Sequence, residues 1–173
     1  MKNLLNVTNI FYPILTWLII LLPTSLVSGP FLANLFATLI ALIYLLFFIK
    51  NITKNNLLFL SVFLAFTIYL FFTSLIGDTV IFSLSSSIAY LRYGFLILAI
   101  YFIATKNKNF LKNFFFVNFI AFIFLFFDVF IQFYTGTNIL GKSTSSADRY
   151  TSFFDDEQII GSFVVRVMPI FFF

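Results

Sequence analysis

The chain has 173 residues, of which 62% are hydrophobic and 9% are charged. Soluble domains carry about 25% charged residues, so the composition excludes a soluble globular protein and predicts an all-α, polytopic transmembrane helical bundle. The net charge is +4, but the lysines lie in short loops between apolar runs, which indicates membrane topology and no nucleic-acid partner. Cysteine and histidine are absent, which excludes disulfides and thiolate metal sites and removes the commonest proton carrier.

The apolar runs predict about five full membrane spans and an incomplete sixth, at about 20 residues per span. These predicted spans are residues 10–28, 31–49, 57–76, 87–105, 113–134 and 159–173. They form a single transmembrane domain, residues 1–173, and the longest polar loop is 135–158. The last run is only about 15 residues long, short of a full span, so we expect the chain to be the N-terminal portion of a longer protein.

Two connections are interpreted further. The first run is longer than the roughly 7–15 apolar residues of a signal peptide, and we interpret it as a signal-anchor helix. Residues 77–86, which join the third span to the fourth, contain Gly77 and several serines and are expected to lie along the membrane interface.

The basic residues predict the orientation, with the N-terminus in the cytoplasm. The cytoplasmic side then holds only bases, namely Lys2, Lys50, Lys54, Lys106, Lys108 and Lys112. The opposite side holds Asp78, Lys142, Asp148, Arg149, Asp155, Asp156 and Glu157. The loop 135–158 is therefore predicted to be extracytoplasmic.

Three ionisable residues lie within the spans: Arg92, Asp128 and Arg166. Each is about six residues from the outer end of its span, roughly 9 Å below the surface at 1.5 Å per residue. A charge inside the membrane costs at least about 2.5–3.5 kcal/mol, so it is expected to face a partner or a wet cavity. One interpretation is a structural ion pair between Arg92 and Asp128. A compatible one is a net positive layer that binds a lipid diphosphate through bidentate guanidinium groups.

The loop beside this layer contributes Arg149, which taken alone is more typical of a solvated loop residue. The acids Asp155, Asp156 and Glu157 precede an apolar helix, where acids more often cap the N-terminus than bind a metal. Residues 143–146 are predicted to be a flexible loop. No metal site and no cofactor are expected.

Two stretches carry a resemblance to a known family. The first ends the fifth span, DVFIQFYTG from Asp128 to Gly136, and the second is RYTSFFDDEQIIGSF from Arg149 to Phe163. They resemble the bacterial O-antigen ligase and O-antigen polymerase superfamily. In that family an arginine, a small residue, an aromatic residue and an acid or asparagine likewise precede a glycine-containing helix start.

The resemblance implies a metal-independent, inverting glycosyl transfer at the periplasmic face of the bacterial inner membrane. The donor would be a glycan linked to undecaprenyl diphosphate, and the acceptor lipid A-core or a growing glycan. Arg149 and Arg166 match the family's diphosphate-binding arginines, whereas Arg92 is a candidate from its depth only. The family also uses a histidine from a later loop, which these residues lack, so the catalytic residue is unknown and this chain alone is expected to be inactive.

Two other functions remain open. A secondary transporter fragment would contain spans broken by Gly and Pro, and Pro13, Pro23 and Gly29-Pro30 give a weak version of that pattern. A non-enzymatic membrane subunit would use the Arg92–Asp128 pair for assembly alone.

Overall fold

A computed structural model describes residues 2–76, 80–143, 150–154 and 160–168, with the backbone alone for residues 2–9, Asn55 and Arg166. Its α-helices are α1 (Lys2–Ser25), α2 (Pro30–Ile43), α3 (Lys54–Ile76), α4 (Val80–Lys106), α5 (Phe110–Thr135) and α6 (Ile160–Val167). Helix α2 continues as a π-helix, Tyr44–Phe48, and a 3-10 turn, Ile49–Asn51. The predicted all-α class is confirmed.

Four of the described helices are long and apolar enough to cross a membrane: Pro30–Asn51, Asn56–Ile76, Val80–Lys106 and Phe110–Thr135. The apolar part of helix α1, Ile10–Ser25, is shorter. The chain is therefore a multi-pass membrane protein. Helix α6 covers the start of the predicted sixth span, and residues 169–173 lie outside the described part of the chain.

Helix α4 begins at Val80 and not at the predicted residue 87. Three serines at this end of the helix are accommodated because their hydroxyls donate to a carbonyl one turn back. Ser85 and Ser86 donate to Phe82 O at 2.8 and 3.0 Å, and Ser87 donates to Ser83 O at 2.9 Å. This local bonding lets the serines belong to the helix, so the predicted connection is helical from Val80 onward, and its position along the membrane interface stays a prediction.

The chain divides into two compact units, and the prediction of a single domain stays a prediction. The first unit comprises Met1–Ile19 and Leu35–Lys108. Its core contains the fully buried Tyr44 of the π-helix, whose ring meets Phe102 edge-on at 6.0 Å. Helices α3 and α4 pack closely in this unit, and the Ser74 and Ser87 hydroxyls form a hydrogen bond of 2.6 Å.

The second unit comprises Ile20–Asn34 and Asn109–Phe173. The Asn118 side chain of helix α5 sets the register between α5 and the end of α1. Its Nδ2 donates to Ile20 O at 3.2 Å and to Phe114 O of its own helix at 2.8 Å. Asn118 is buried, and these bonds satisfy its amide donors within the apolar interior.

Candidate functional site: a loop anchored on helix α5

Helix α5 ends at Gly136, which adopts the left-handed conformation with φ of 78°. This conformation is open to glycine because it has no Cβ. The chain then turns back in a compact loop that is closed by Asn138. The Asn138 N–H donates to Lys142 O at 2.9 Å, and the Asn138 Oδ1 accepts from Lys142 N–H at 2.8 Å.

We call residues 137–143 and 150–154 the anchored loop, because two buried side chains of helix α5 hold them. Asp128 and Gln132 lie one turn apart on one face of α5, and both are fully buried. Asp128 accepts hydrogen bonds from Ile139 N–H at 2.8 Å and from the Ser152 hydroxyl. Gln132 Oε1 accepts from Ser152 N–H at 2.9 Å. Both ends of the loop are thus fixed to the same helix.

Ser152 is the residue on which these bonds converge. Besides the bonds of its N–H and hydroxyl, its carbonyl accepts from Asn138 Nδ2 at 2.7 Å. Its φ is 52°, a left-handed conformation that non-glycine residues seldom adopt. Every polar group of this residue has a partner, which balances the cost of the backbone conformation and of its burial.

The anchored loop folds back along helix α5 towards the middle of the span. The Phe153 ring stacks on Phe124 with centroids 5.7 Å apart, and Phe124 lies roughly 16 Å before the end of α5 at 1.5 Å per residue. Non-helical backbone at membrane depth is tolerated only where protein or a polar cavity satisfies it. Asp128 and Gln132 of helix α5, together with Asn138 of the loop itself, supply such partners for the loop backbone where it packs along the helix.

Arg92 lies in helix α4 of the first unit and is half-buried. Its Nη1 lies 3.4 Å from the Thr38 hydroxyl of helix α2, and its Nη2 lies 3.1 Å from the Tyr93 hydroxyl. The guanidinium carbon sits 4.9 Å from the centre of the Tyr93 ring, within cation–π range. The contact with Thr38 joins helix α4 to helix α2. The same arginine was predicted from the sequence to lie in a cationic layer.

The other predicted site residues are described less fully. Arg166 lies in helix α6, and only its backbone is described, while Arg149 and the acids 155–157 lie outside the described residues. Arg92 and Asp128 belong to different units. The Arg92–Asp128 ion pair and the shared cationic layer stay predictions. The described partners of Asp128 are an amide and a hydroxyl, both uncharged.

Sequence reasoning missed Asn138, Thr151 and Ser152, which are buried polar residues of the anchored loop. Asn138 has a recognisable signal, since asparagine followed at short range by glycine is typical of turns. Ser152 has none, because its role depends on contacts across the loop. The predicted flexible loop, residues 143–146, begins in an isolated bridge between Ser143 and Thr137, and its other residues are outside the described ranges.

In the described part of the chain, no group of three or more His, Cys, Asp or Glu side chains could hold a metal ion. The fold and the site therefore define the class of this protein. It is a multi-pass membrane protein in which a polar loop packs against one end of helix α5. Comparisons with protein-family models, curated proteins and solved structures gave no match for this chain.

Proposed function

We propose that this chain binds the diphosphate of an undecaprenyl-diphosphate-linked glycan at the periplasmic face of the bacterial inner membrane. It would do so as part of a glycan ligase or polymerase that transfers the glycan to lipid A-core or to a growing glycan. One observation carries the proposal. The two stretches with the family resemblance are separated in sequence by residues 137–148, yet Asp128 and Gln132 of the first bind Ser152 of the second.

Two arginines of the proposal lie near this motif in sequence. Arg149 directly precedes the described residues 150–154 in sequence, and Arg166 belongs to helix α6. The rings of Phe154 and Phe163 lie 5.5 Å apart, which links the anchored loop to the start of that helix. Guanidinium groups carried by these two elements suit the bidentate binding of phosphate oxygens. Arg92 remains a third candidate from its predicted depth.

In such a reaction the lipid diphosphate is the leaving group. Negative charge accumulates on it in the transition state, and fixed cations in a water-poor site stabilise that charge. The acceptor hydroxyl also needs a general base, and these 173 residues contain no histidine. The part of the reaction proposed for this chain is therefore carrier binding and not proton transfer.

A binding experiment tests the proposal without requiring turnover. The chain would be reconstituted in uncharged-lipid nanodiscs and titrated with undecaprenyl diphosphate, undecaprenyl phosphate or undecaprenol. We expect the diphosphate to bind most tightly. We expect Arg149→Ala and Arg166→Ala each to weaken it by about tenfold to a hundredfold, as for a lost charged hydrogen bond.

Lys112→Ala is the matched control, since Lys112 is exposed near the other end of helix α5 and should leave binding unchanged. Equal affinity for all three lipids would contradict the proposal, as would full affinity in both arginine variants. The secondary transporter and the non-enzymatic subunit would then be the functions to pursue.

A further inference from the structure

A tight turn, residues 138–141, forms the part of the anchored loop that follows helix α5. The Gly141 N–H donates to Asn138 O at 2.8 Å, and Gly141 has a φ of 77°. Ile139 and Leu140 therefore occupy the two central positions of a hydrogen-bonded turn.

The two central side chains are aliphatic and exposed. Ile139 is 49% exposed and Leu140 is 66% exposed. Turns favour Gly, Pro, Asn, Asp and Ser, which supply the special backbone angles or the local hydrogen bonds of a solvated turn. Contact with water is unfavourable for two adjacent aliphatic side chains. The residues at the centre of this turn therefore indicate an apolar surrounding.

A hydrogen bond fixes the depth of this turn along helix α5. The Ile139 N–H donates to Asp128 Oδ1 at 2.8 Å. Asp128 precedes Thr135, the last residue of α5, by seven residues, which is roughly 10 Å at 1.5 Å per residue. The side chains of a helix tilt towards its N-terminus, so the carboxylate lies no nearer to the end of α5 than its own Cα. The turn therefore lies alongside the helix and not beyond its end.

That depth corresponds to the hydrocarbon of a bilayer. Helix α5 has 26 residues and is about 39 Å long at 1.5 Å per residue, comparable to a bilayer with its head groups, about 40–45 Å. The hydrocarbon core is about 30 Å thick, which leaves an interfacial layer of about 5–7 Å on each side. Beside Asp128, helix α5 itself exposes the apolar side chains of Phe127 and Ile131. Ile139 and Leu140 thus lie at a level where the span presents apolar groups to its surroundings.

The backbone of the turn is suited to this environment. Polar backbone groups in hydrocarbon need partners within the protein. The N–H groups of Asn138 and Gly141 donate to Lys142 O and Asn138 O, at 2.9 and 2.8 Å. Those of Ile139 and Lys142 donate to side-chain oxygens of Asp128 and Asn138, both at 2.8 Å. Four N–H groups of this short segment thus have acceptors without any contribution from water.

We propose that the centre of this turn is embedded in the acyl chains of the leaflet in which helix α5 ends, with Ile139 and Leu140 in direct contact with lipid. The chain enters the membrane beside the helix and returns at Ser143, which pairs with Thr137 close to the helix end. The bond between the turn and Asp128 is then shielded from water. This proposal concerns lipid contact alone and does not depend on the proposed diphosphate site.

Fluorescence quenching by lipid tests this proposal, because the chain has one native tryptophan. In a Trp17→Phe background, Leu140→Trp would be reconstituted in phosphatidylcholine vesicles with or without bromine on the acyl chains. We expect brominated lipid to remove most of its emission, and iodide present on both sides of the membrane to remove little. Phe127→Trp, exposed beside Asp128 on helix α5, should respond in the same way. Ser143→Trp, exposed where the chain leaves the turn, should be quenched more by iodide and less by brominated lipid.

Ile139→Trp repeats the measurement at the neighbouring position, so that the test stands if one of the two variants fails to fold. The proposal is overturned if iodide quenches the turn variants as strongly as Ser143→Trp, because the turn would then lie in water. It is also overturned if neither quencher reaches them while brominated lipid quenches Phe127→Trp. The centre of the turn would then be covered by protein, either another part of this chain or a second copy.

Discussion

At the scale of single residues, the buried Asp128 carboxylate accepts hydrogen bonds from two uncharged donors among the described residues. The sequence predicted an ion pair because a charge within a span needs compensation. The structure gives the carboxylate a backbone N–H from Ile139 and a hydroxyl from Ser152. A carboxylate accepts such donors with roughly twice the strength of a neutral acceptor. Asp128 therefore stabilises the loop that covers it.

Replacing Asp128 should accordingly unfold the anchored loop. We expect Asp128→Leu to lower the free energy of unfolding by about 2–4 kcal/mol, because the buried Ser152 hydroxyl and the partly buried Ile139 N–H lose their acceptor. Asp128→Asn retains one carbonyl oxygen and should cost less. Thermal unfolding in detergent would measure both variants, and equal Tm values for wild type and Asp128→Leu would show that these bonds contribute nothing.

A double-mutant cycle separates the two partners suggested for Asp128. Asp128→Asn and Ser152→Ala should be non-additive, with a coupling energy of about 0.5–3 kcal/mol for groups in contact. The same cycle with Arg92→Ala tests the predicted ion pair. Ser162→Ala, at an exposed position of helix α6, is the control that should add independently. Additive effects of Asp128→Asn and Ser152→Ala would contradict the hydrogen bond.

At the scale of elements, helices α3 and α4 of the first unit approach each other closely at Gly94. A Cβ built on Gly94 would lie 2.5 Å from two ring carbons of Phe63. Membrane helices associate through such small residues, because lipid tails leave no hydrophobic gain between helices and close contact takes its place. The nearby Ser74–Ser87 hydrogen bond adds a polar link between the same two helices.

Gly94→Ala should therefore separate or distort the pair and lower the free energy of unfolding by about 1–3 kcal/mol, the usual cost of overpacking. Gly161→Ala in helix α6 is a matched control, since nothing lies within 4 Å of its added Cβ. Phe63→Leu in the Gly94→Ala background should recover part of the loss. If both alanine variants unfold at the same temperature, the contact does not limit stability.

The elements also show how far sequence alone could predict this fold and site. Continuous apolar runs locate the helices well, because the bilayer fixes span length. The early start of α4 was missed, since serines count as polar until their local bonds to carbonyls are known. The π-helix at Tyr44–Phe48 has no sequence signature. The anchored loop depends on pairing between residues some 20 positions apart, such as Ser152 and Gln132, and periodicity carries no information about such contacts.

At the scale of the whole molecule, the distribution of lysines still predicts which ends of the helices face the cytoplasm. Lys50, Lys54, Lys106, Lys108 and Lys112 lie at or beside the ends of described helices, in two groups at residues 50–54 and 106–112. Positive loops are retained in the cytoplasm during insertion. The turn after helix α5 would then lie on the opposite side of the membrane, where the proposed function requires it.

Cysteine labelling tests this orientation directly, because the chain contains no native cysteine. We expect Ser143→Cys, at an exposed loop position, to react with an impermeant maleimide added to intact spheroplasts. Asn109→Cys, exposed before helix α5, should react only after the membrane is permeabilised. The reverse pattern would place the anchored loop in the cytoplasm and would contradict the proposed function.

The separation of Asp128 from Ser152 has a consequence for biosynthesis. Asp128 and Gln132 are translated 24 and 20 residues before Ser152, the residue that binds both. Helix α5 therefore leaves the ribosome before the serine that binds its carboxylate and its amide in the folded chain. The mean hydropathy of helix α5, 2.5, favours its insertion into the bilayer even before Asp128 and Gln132 have paired with Ser152. The hydrogen bonds that Ser152 makes to Asp128 and Gln132 can form only after synthesis has proceeded 24 residues beyond Asp128.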